Sequence, residues 1–570
     1  MEESMKYDQI DTRPTQRERR DPAQVTNNAG GYVYQVDDAQ RVRRFLILGS
    51  EGGSFYANER SLTMHNFQTL QTMATSEPVA MWKILKEVNN GNLAARHSTV
   101  LLGLAILHSL TPATHTIEVQ RGEETKKLQE RHPVRDLIDD EFTSFVRTGS
   151  HLFEFVQYAL MFRKWGASLR RLVASWYEDR GADDLAYQML KYQSRKGWAH
   201  RDVLRMAHPK LTGTPRGVVG YAVKGTEDAD YQEHLAAGDL PVVLDQFQRV
   251  KHGDLAPTQA DALTWEMLPS AALADPEVWR ALITNRKLPY TAMLRNLGRM
   301  TKIGVFDQAE YVVAVGRILG DGDHITKARV HPFNVLTALT TYTGGHGFRG
   351  KLAWAPKQPI VDALDGAFYK AFQNVEPTGQ RILVGLDVSA SMSAPLMDSS
   401  ITARIGSVAM SMATVAADPV TTDVVAFTSA GWCPEGQYQP NRVGYALSSG
   451  IQEVGLSPRR RLDDIITETG KLPWGGTDCA LPILWAAAHK KEYDAFVIYS
   501  DNETWGGKVQ VVDALTEYRR RINPRAKLIV VMMTATQFTI GDPTDPGTLN
   551  VVGFDSSAPA VISNFIQGKL

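Results

Sequence analysis

Cysteine is nearly missing: Cys433 and Cys479 are the only two in 570 residues, and their spacing suits neither a zinc-ligand pair nor a disulfide framework. Long apolar runs are missing too. The longest, Val100 to Leu107, falls far short of the roughly 20 residues needed to cross a bilayer. Net charge is lacking, with 62 Lys and Arg against 63 Asp and Glu, so no global basic field advertises nucleic acid. Met1 to Arg20 is polar and highly charged rather than signal-like. These absences point to a cytoplasmic globular chain, by length one of two to four domains.

Charge is unevenly spread. Residues 161 to 210 hold eleven Lys or Arg against five Asp or Glu, a basic patch on a mildly acidic body. Residues 1 to 28 are rich in Arg, Asp, Gln and Asn and read as a mobile arm. From about 60 to 370 the pattern is helical. In Ala167 to Asp179, Leu169, Leu172, Val173, Trp176 and Tyr177 recur at i, i+3, i+4, i+7 and i+8, leaving Arg170 and Arg171 on other faces. Pro78 to Val88, Thr99 to Ser109, Asp275 to Thr284, Thr291 to Met300, Ala309 to Ile318 and Pro332 to Thr341 read likewise. Short helices in long succession suit an α-solenoid, with a small array of bundles as the plainer alternative. Beyond the turn-rich Glu376-Pro-Thr-Gly379, strand-like runs alternate with helical ones: Ile382–Leu386, Val424–Phe427, Ala495–Tyr499, Leu528–Met532 and Leu549–Gly553. That alternation predicts a doubly wound parallel sheet.

The stretch Arg381-Ile-Leu-Val-Gly-Leu-Asp-Val-Ser-Ala-Ser-Met392 carries the clearest chemistry. Its apolar run is a buried strand, and Asp387, Ser389 and Ser391 follow at alternate positions, so an extended segment aims three oxygens at one point. Mg²⁺ and similar hard cations favour such donors. Thr477 stands on the Gly-rich Trp474-Gly-Gly-Thr-Asp-Cys-Ala480, and Asp501 ends the strand Ala495-Phe-Val-Ile-Tyr-Ser-Asp501. Ligands of open parallel sheets gather at the carboxyl ends of strands, where Asp387 and Asp501 both lie. In this order the pieces resemble the metal-ion-dependent adhesion site of von Willebrand factor A domains. The resemblance implies a divalent cation, Mg²⁺ or another, held by Asp387, Ser389, Ser391, Thr477 and Asp501.

Within the basic patch, Asp184 to Arg195 reads as a helix with Leu185, Met189 and Tyr192 inward and Lys191 and Arg195 on one outward face. Arg201, Arg205 and His208 fall at i, i+4 and i+7 on the next segment. Like charges at i, i+4 repel, so either nearby carboxylates such as Asp202 compensate on a solvated face, or the cations meet phosphates. Trp198 reads more readily as core than as a stacking platform.

Lys191-Tyr-Gln-Ser-Arg-Lys-Gly-Trp-Ala-His-Arg-Asp-Val-Leu-Arg-Met-Ala-His208 closely resembles a signature of the Ro autoantigen family. So do Arg44-Phe-Leu-Ile-Leu-Gly-Ser-Glu-Gly-Gly53, Thr148-Gly-Ser-His-Leu-Phe-Glu-Phe155, Leu294-Arg-Asn-Leu-Gly298, Ala328-Arg-Val-His-Pro-Phe333, Gly344-Gly-His-Gly347 and Val375-Glu-Pro-Thr-Gly379. The arm before residue 28 and the segment Arg121 to Arg135 match nothing in that family. The resemblance implies a multidomain α plus α/β protein. A TROVE ring of HEAT-like repeats over 29–372 would be closed by a Rossmann-like von Willebrand A domain over 373–570.

It further implies Y RNA on the ring's basic outer surface and single-stranded 3′ ends of misfolded or damaged noncoding RNA in its central hole. Carried over by motif, Lys191, Arg195 and His208 would contact Y RNA, with Arg201 and Arg205 beside them. A monomer is expected, with no membrane partner and no catalysis of its own. The resemblance to bacterial relatives also implies a 3′ exonuclease, polynucleotide phosphorylase, as a partner tethered through Y RNA. The alternative is a protein-binding adaptor acting mainly through the metal site.

Overall fold

Several helices start where the sequence supplies a capping side chain or a proline. The side chains of Thr148, Asp275, Asp321 and His331 accept from the backbone N–H groups of His151, Glu277, His324 and Phe333, while Pro78, Pro133, Pro276 and Pro332 occupy first turns. The computed structural model describes residues 15–49, 59–121, 124–347, 351–372, 377–396, 399–429, 450–457, 460–469 and 475–569. Cys433, Trp474, Val375, Glu376 and the arm up to Pro14 lie outside them.

Helices Pro78–Asn90, His97–Leu110, Ala167–Glu178, Pro276–Thr284, Tyr290–Lys302, Ala309–Leu319 and Pro332–Thr343 stand where apolar periodicity placed them. The segment 114–131 is an antiparallel hairpin, Thr114–Arg121 paired with Glu124–Arg131, inserted into the helical succession. Among the described residues no helix is long and apolar enough to cross a membrane.

The α/β part carries a six-stranded sheet. Its order is Thr548–Val552, Lys527–Met532, Ala495–Ser500, Ile382–Asp387, Thr422–Phe427 and Ile451–Glu453, parallel except for the last strand. Both faces are buried, and alternate residues serve different cores. Leu383, Phe496, Ile498, Leu528 and Val530 pack against helices Leu481–Ala488 and Val511–Arg521. Ile382, Val384, Val497, Tyr499, Ile529 and Val531 belong to the core that continues into the helical array.

The array also returns on itself. Asn92 Nδ2 donates to Arg329 O at 2.9 Å, and Ser556 Oγ to Asn92 O at 3.4 Å. His331 Nδ1 accepts from Phe333 N, which leaves the proton on Nε2 to donate to Leu93 O at 3.0 Å. Phe333 meets Phe554 edge-on at 5.3 Å. Early helices, late helices and the α/β part therefore converge at one junction. Arg44, 1 % exposed, reinforces it by donating to the carbonyls of Thr536 and Phe538, each at 2.9 Å. At the far end Asp365 accepts from Leu462 N at 2.9 Å.

The expected mobile arm is corrected from residue 15 onward. Gln24–Thr26 pairs with Tyr32–Gln35, which pairs with Phe538–Thr539, so this segment is a three-stranded sheet on the α/β part. Gly31 lies so close to the Thr504 carbonyl that a Cβ there would sit 1.9 Å from its oxygen.

Burial pushes the imidazoles of His108 down to about 3 and of His200 and His331 to about 4. Their pKa values lie below the unfolded value near 6.5, so the unfolded chain binds more protons between those limits. Stability is therefore retained above pH 6.5 and lost as pH falls toward about 4, by about 1.4 kcal/mol per pH unit for each histidine. Calorimetric unfolding at stepped pH should show Tm falling across that window, with a shallower fall in His331→Asn. A flat Tm would contradict the neutral buried imidazoles.

Candidate metal centre and nucleic-acid interface

Parallel pairing of Ile382–Asp387 with Ala495–Ser500, Leu386 opposite Tyr499, delivers Asp387 and Asp501 to one carboxyl edge of the sheet. The loop bearing Thr477 is drawn in by two bonds: Ala390 N to Gly475 O at 3.2 Å and Thr428 Oγ1 to Gly476 O at 2.6 Å. Asp387, Ser389, Ser391, Thr477 and Asp501 are each no more than 2 % exposed. Asp387 Oδ2 accepts from Ser500 Oγ at 2.7 Å and Oδ1 from Ser389 N at 2.9 Å, while the hydroxyls of Ser389 and Ser391 lie 3.2 Å apart. All five expected oxygen donors thus come from three neighbouring loops at one edge.

Buried polar atoms are normally partnered. Here Thr477 Oγ1, Asp501 Oδ2 and Ser429 Oγ are buried without a hydrogen-bond partner. Burial, then the charges of Asp387 and Glu503, push the Asp501 carboxyl up to about 8, and burial raises Asp387 as well. Two desolvated carboxylates and orphaned hydroxyls fit a hard divalent cation, which would neutralise the acids and leave open positions for a further oxygen ligand. Among the described residues no three His, Cys, Asp or Glu side chains cluster, so the donor set is rich in hydroxyls. The carboxylate cluster of two-metal phosphoryl transfer has no counterpart there.

The sequence reading passed over Ser429 and Glu503. Ser429 lies just past the strand Thr422–Phe427, where the strand-end rule could have found it. Glu503 Oε1 accepts from Asn28 Nδ2 at 2.6 Å and Oε2 from Ala29 N at 3.1 Å; Gln16 Nε2 donates to Asp478 Oδ1 at 2.7 Å. The N-terminal segment thus braces the loops that carry Thr477 and Asp501.

The basic patch is built differently from the sequence expectation. The helix Ala182–Lys191 ends at Lys191, and Arg195 sits on a tight hairpin, Ser194–Arg195 against Trp198–Ala199. Lys196 and Gly197 form its turn with φ of 53° and 82°. Lys191 does not face outward: its side chain is 7 % exposed, its Nζ donates to Tyr187 Oη at 2.8 Å, and Glu266 lies 4.0 Å away. Burial opposes its charge, but Tyr192, the Tyr187 hydrogen bond and Glu266 more than offset this, so its pKa is raised.

Arg195 is half exposed, with Nε on the buried Glu154 at 2.5 Å. Arg201 and Arg205 are exposed on the helix His200–Ala207; His208 is exposed at its C-cap with φ of 51°. Asp202 accepts from Ala199 N at 3.2 Å, capping the helix rather than pairing with an arginine. Among the described residues no ion pair reaches Lys196, Arg201, Arg205 or Lys210, nor Arg170 and Arg171 on the neighbouring helix. Trp198 Nε1 donates to Gln157 Oε1 at 2.9 Å and the ring packs on the core. His151 and His331 serve packing and capping.

Calorimetric titration of Mg²⁺ should show binding by the wild-type protein, its loss in Asp387→Ala and a weakening of about tenfold or more in Thr477→Val. Unchanged titrations in both variants would remove these oxygens from the site.

Comparison with known proteins fits this division. The Ro60 vWA domain family matches residues 381–566, and the TROVE domain family matches 25–234 and 259–343. The RNA-binding protein RO60 of Deinococcus radiodurans is 34 % identical over 97 % of this chain and 97 % of its own length. Its namesake from Caenorhabditis elegans is 30 % identical over 98 % of this chain and 92 % of that one. The crystal structure of the Deinococcus radiodurans RO (RSR) protein superimposes with a TM-score of 0.62 at 31 % identity, covering 94 % of this chain and all of that one. With helical TROVE elements leading into a von Willebrand A-type sheet, the chain belongs to the Ro60 family.

Proposed function

We propose that this chain is the RNA-binding scaffold of a Ro ribonucleoprotein, working without catalysis of its own. The observation that carries the reading is the uncompensated cation row. Arg201 and Arg205 stand one turn apart on an exposed helix face, and Asp202, the nearest carboxylate in sequence, is occupied by backbone. Such a row weakens its own helix and favours a polyanion, whose bound counterions are released as phosphates are neutralised. Structured RNA of the Y class would lie across Arg195, Lys196, Arg201, Arg205, His208 and Lys210. Lys191 would support that surface from beneath, through Tyr187 and Tyr192, rather than touch phosphate.

Relatives named as RNA-binding proteins support the class of ligand. Capture of single-stranded 3′ ends in a central hole, service in RNA quality control and tethering of a 3′ exonuclease through Y RNA extend the same reading. The metal face supports a second role. Thr477 Oγ1 and Asp501 Oδ2 are orphaned at a sheet edge, so a bound Mg²⁺ there could take an acidic side chain of a partner protein into its coordination sphere.

Arg201→Ala/Arg205→Ala should lower the affinity for a structured Y-type RNA about tenfold or more and flatten the log K against log salt slope by about 2, one per lost phosphate contact. Lys191→Ala should change that slope little and lower Tm instead. Affinity and slope unchanged in the arginine double variant would reject the surface.

A further inference from the structure

One buried side chain from the start of the chain reaches the loops of the metal face. Gln16 is 1 % exposed, and its amide spends its full capacity of two donors and two acceptor lone pairs. Nε2 donates to Asp478 Oδ1 at 2.7 Å and to Val509 O at 2.9 Å. Oε1 accepts from Thr504 Oγ1 at 2.6 Å and from Gly507 N at 3.1 Å. The Val509 carbonyl and the Gly507 N–H fix the amide's orientation, since exchanging its oxygen and nitrogen would set acceptor against acceptor and donor against donor. Gly507 leaves room for it: a Cβ there would lie 2.4 Å from Nε2.

The position of those partners is what gives the contact its meaning. Asp478 directly follows Thr477, and Thr504 and Gly507 belong to the loop that begins at Asp501. The two loops meet by themselves where Trp505 N and Gly506 N both donate to Thr477 O, at 3.0 and 2.7 Å. Gln16 crosses the same seam from outside, with its nitrogen on Asp478 and its oxygen on Thr504 and Gly507. Its backbone is held as well: N donates to Gly507 O at 3.3 Å, and O accepts from Tyr32 N at 2.8 Å. Asn27, 5 % exposed, adds a second hold on one loop, its Nδ2 donating to Asn502 O at 3.2 Å and Thr504 O at 2.9 Å. The orphaned oxygens Thr477 Oγ1 and Asp501 Oδ2 stand one on each loop. Two oxygens on separate loops serve one small cation only if the loops keep a fixed separation, because such ions tolerate little departure from their preferred geometry.

We propose that Gln16 is a positioning residue of the metal face: its amide sets the separation of the Thr477 and Asp501 loops, and with it the affinity of the site for a divalent cation. The inference rests on the cation reading of that face given above. Outer partners that orient metal ligands are worth roughly 10- to 100-fold in affinity. The coupling is reciprocal, so a cation held by the loops also tightens the segment 15–36 that clasps them. A packing role alone does neither, since it stabilises the fold equally with and without the cation. Arg20 offers the contrast. Its Nε pairs with Asp513 at 2.6 Å and anchors the same segment to the helix Val511–Arg521, away from both metal loops.

The test is calorimetric titration of Mg²⁺ into the full-length wild type, Gln16→Met and Arg20→Ala, each with Tm recorded. It is joined to hydrogen exchange of peptides spanning residues 15 to 36, with and without Mg²⁺. Methionine keeps the length of glutamine and none of its hydrogen bonds. Gln16→Met should bind Mg²⁺ about tenfold or more weakly, and Arg20→Ala as wild type does. In the wild type Mg²⁺ should slow exchange across residues 15 to 36; in Asp387→Ala it should leave that exchange unchanged. Mg²⁺ affinity unchanged in Gln16→Met, or lowered equally in Arg20→Ala, overturns the positioning role and leaves the metal face standing. If Gln16→Met does not fold, the wild-type exchange decides, and rates indifferent to Mg²⁺ overturn the proposal. Wild-type protein that takes up no Mg²⁺ overturns the metal reading itself.

Discussion

The sheet must bury both of its faces, and everything else in the molecule is arranged around that demand. A parallel strand has no solvent side, so Ile382 to Leu386 divides its residues between two cores. Val384 faces the helix Ala403–Ala417, in the core that continues into the helical array; Leu383 packs toward the helices Leu481–Ala488 and Val511–Arg521. Because one core runs continuously from the sheet into the helices, the two parts share their interior. The junction of Leu93, His331 and Phe554 then ties early and late helices to the sheet's rim. Arg44 adds a buried charge whose Nη1 donates to the carbonyls of both Thr536 and Phe538, linking the first helix to the α/β part.

The same sheet produces the metal face. Parallel register puts Asp387 and Asp501 at one edge, and close packing leaves each of the five donor residues at most 2 % exposed. Charge is costly there, since burial and the neighbouring Asp387 and Glu503 push the Asp501 carboxyl up, and a bound cation would offset that cost. The opposite condition holds at residues 196–210, where Lys196, Arg201, Arg205 and Lys210 are exposed and, among the described residues, form no ion pair with a carboxylate. One site concentrates negative charge in a dry place and the other concentrates positive charge in a wet one, so they suit different partners: a small hard ion and a long polyanion.

Much of this was legible in the residues. Apolar periodicity located Ala167–Glu178 almost to the residue, and the run before Asp387 announced a buried strand with its oxygens at the end. Local pattern failed where distant chain intervened. Lys191 looked solvent-facing beside Arg195 because helical spacing was carried past its limit. In fact Lys196 and Gly197 turn the chain left-handed, and Glu266, far along the sequence, closes over the lysine. The segment from residue 15 read as an arm because its partners, Asp478, Glu503 and Phe538, lie several hundred residues downstream. Ser429 was missed because the strand-end rule was applied to Asp387 and Asp501 and not to the end of the strand Thr422–Phe427.

The central claim is that an exposed, uncompensated row of cations on a helical wall holds RNA. It is tested most directly by cross-linking the protein to RNA in its own cells, sequencing the RNA and mapping the cross-linked peptides by mass spectrometry. The account predicts structured noncoding RNA attached to peptides that span residues 195 to 210. Peptides from that stretch recovered free of RNA, while cross-links fall elsewhere or not at all, would contradict it.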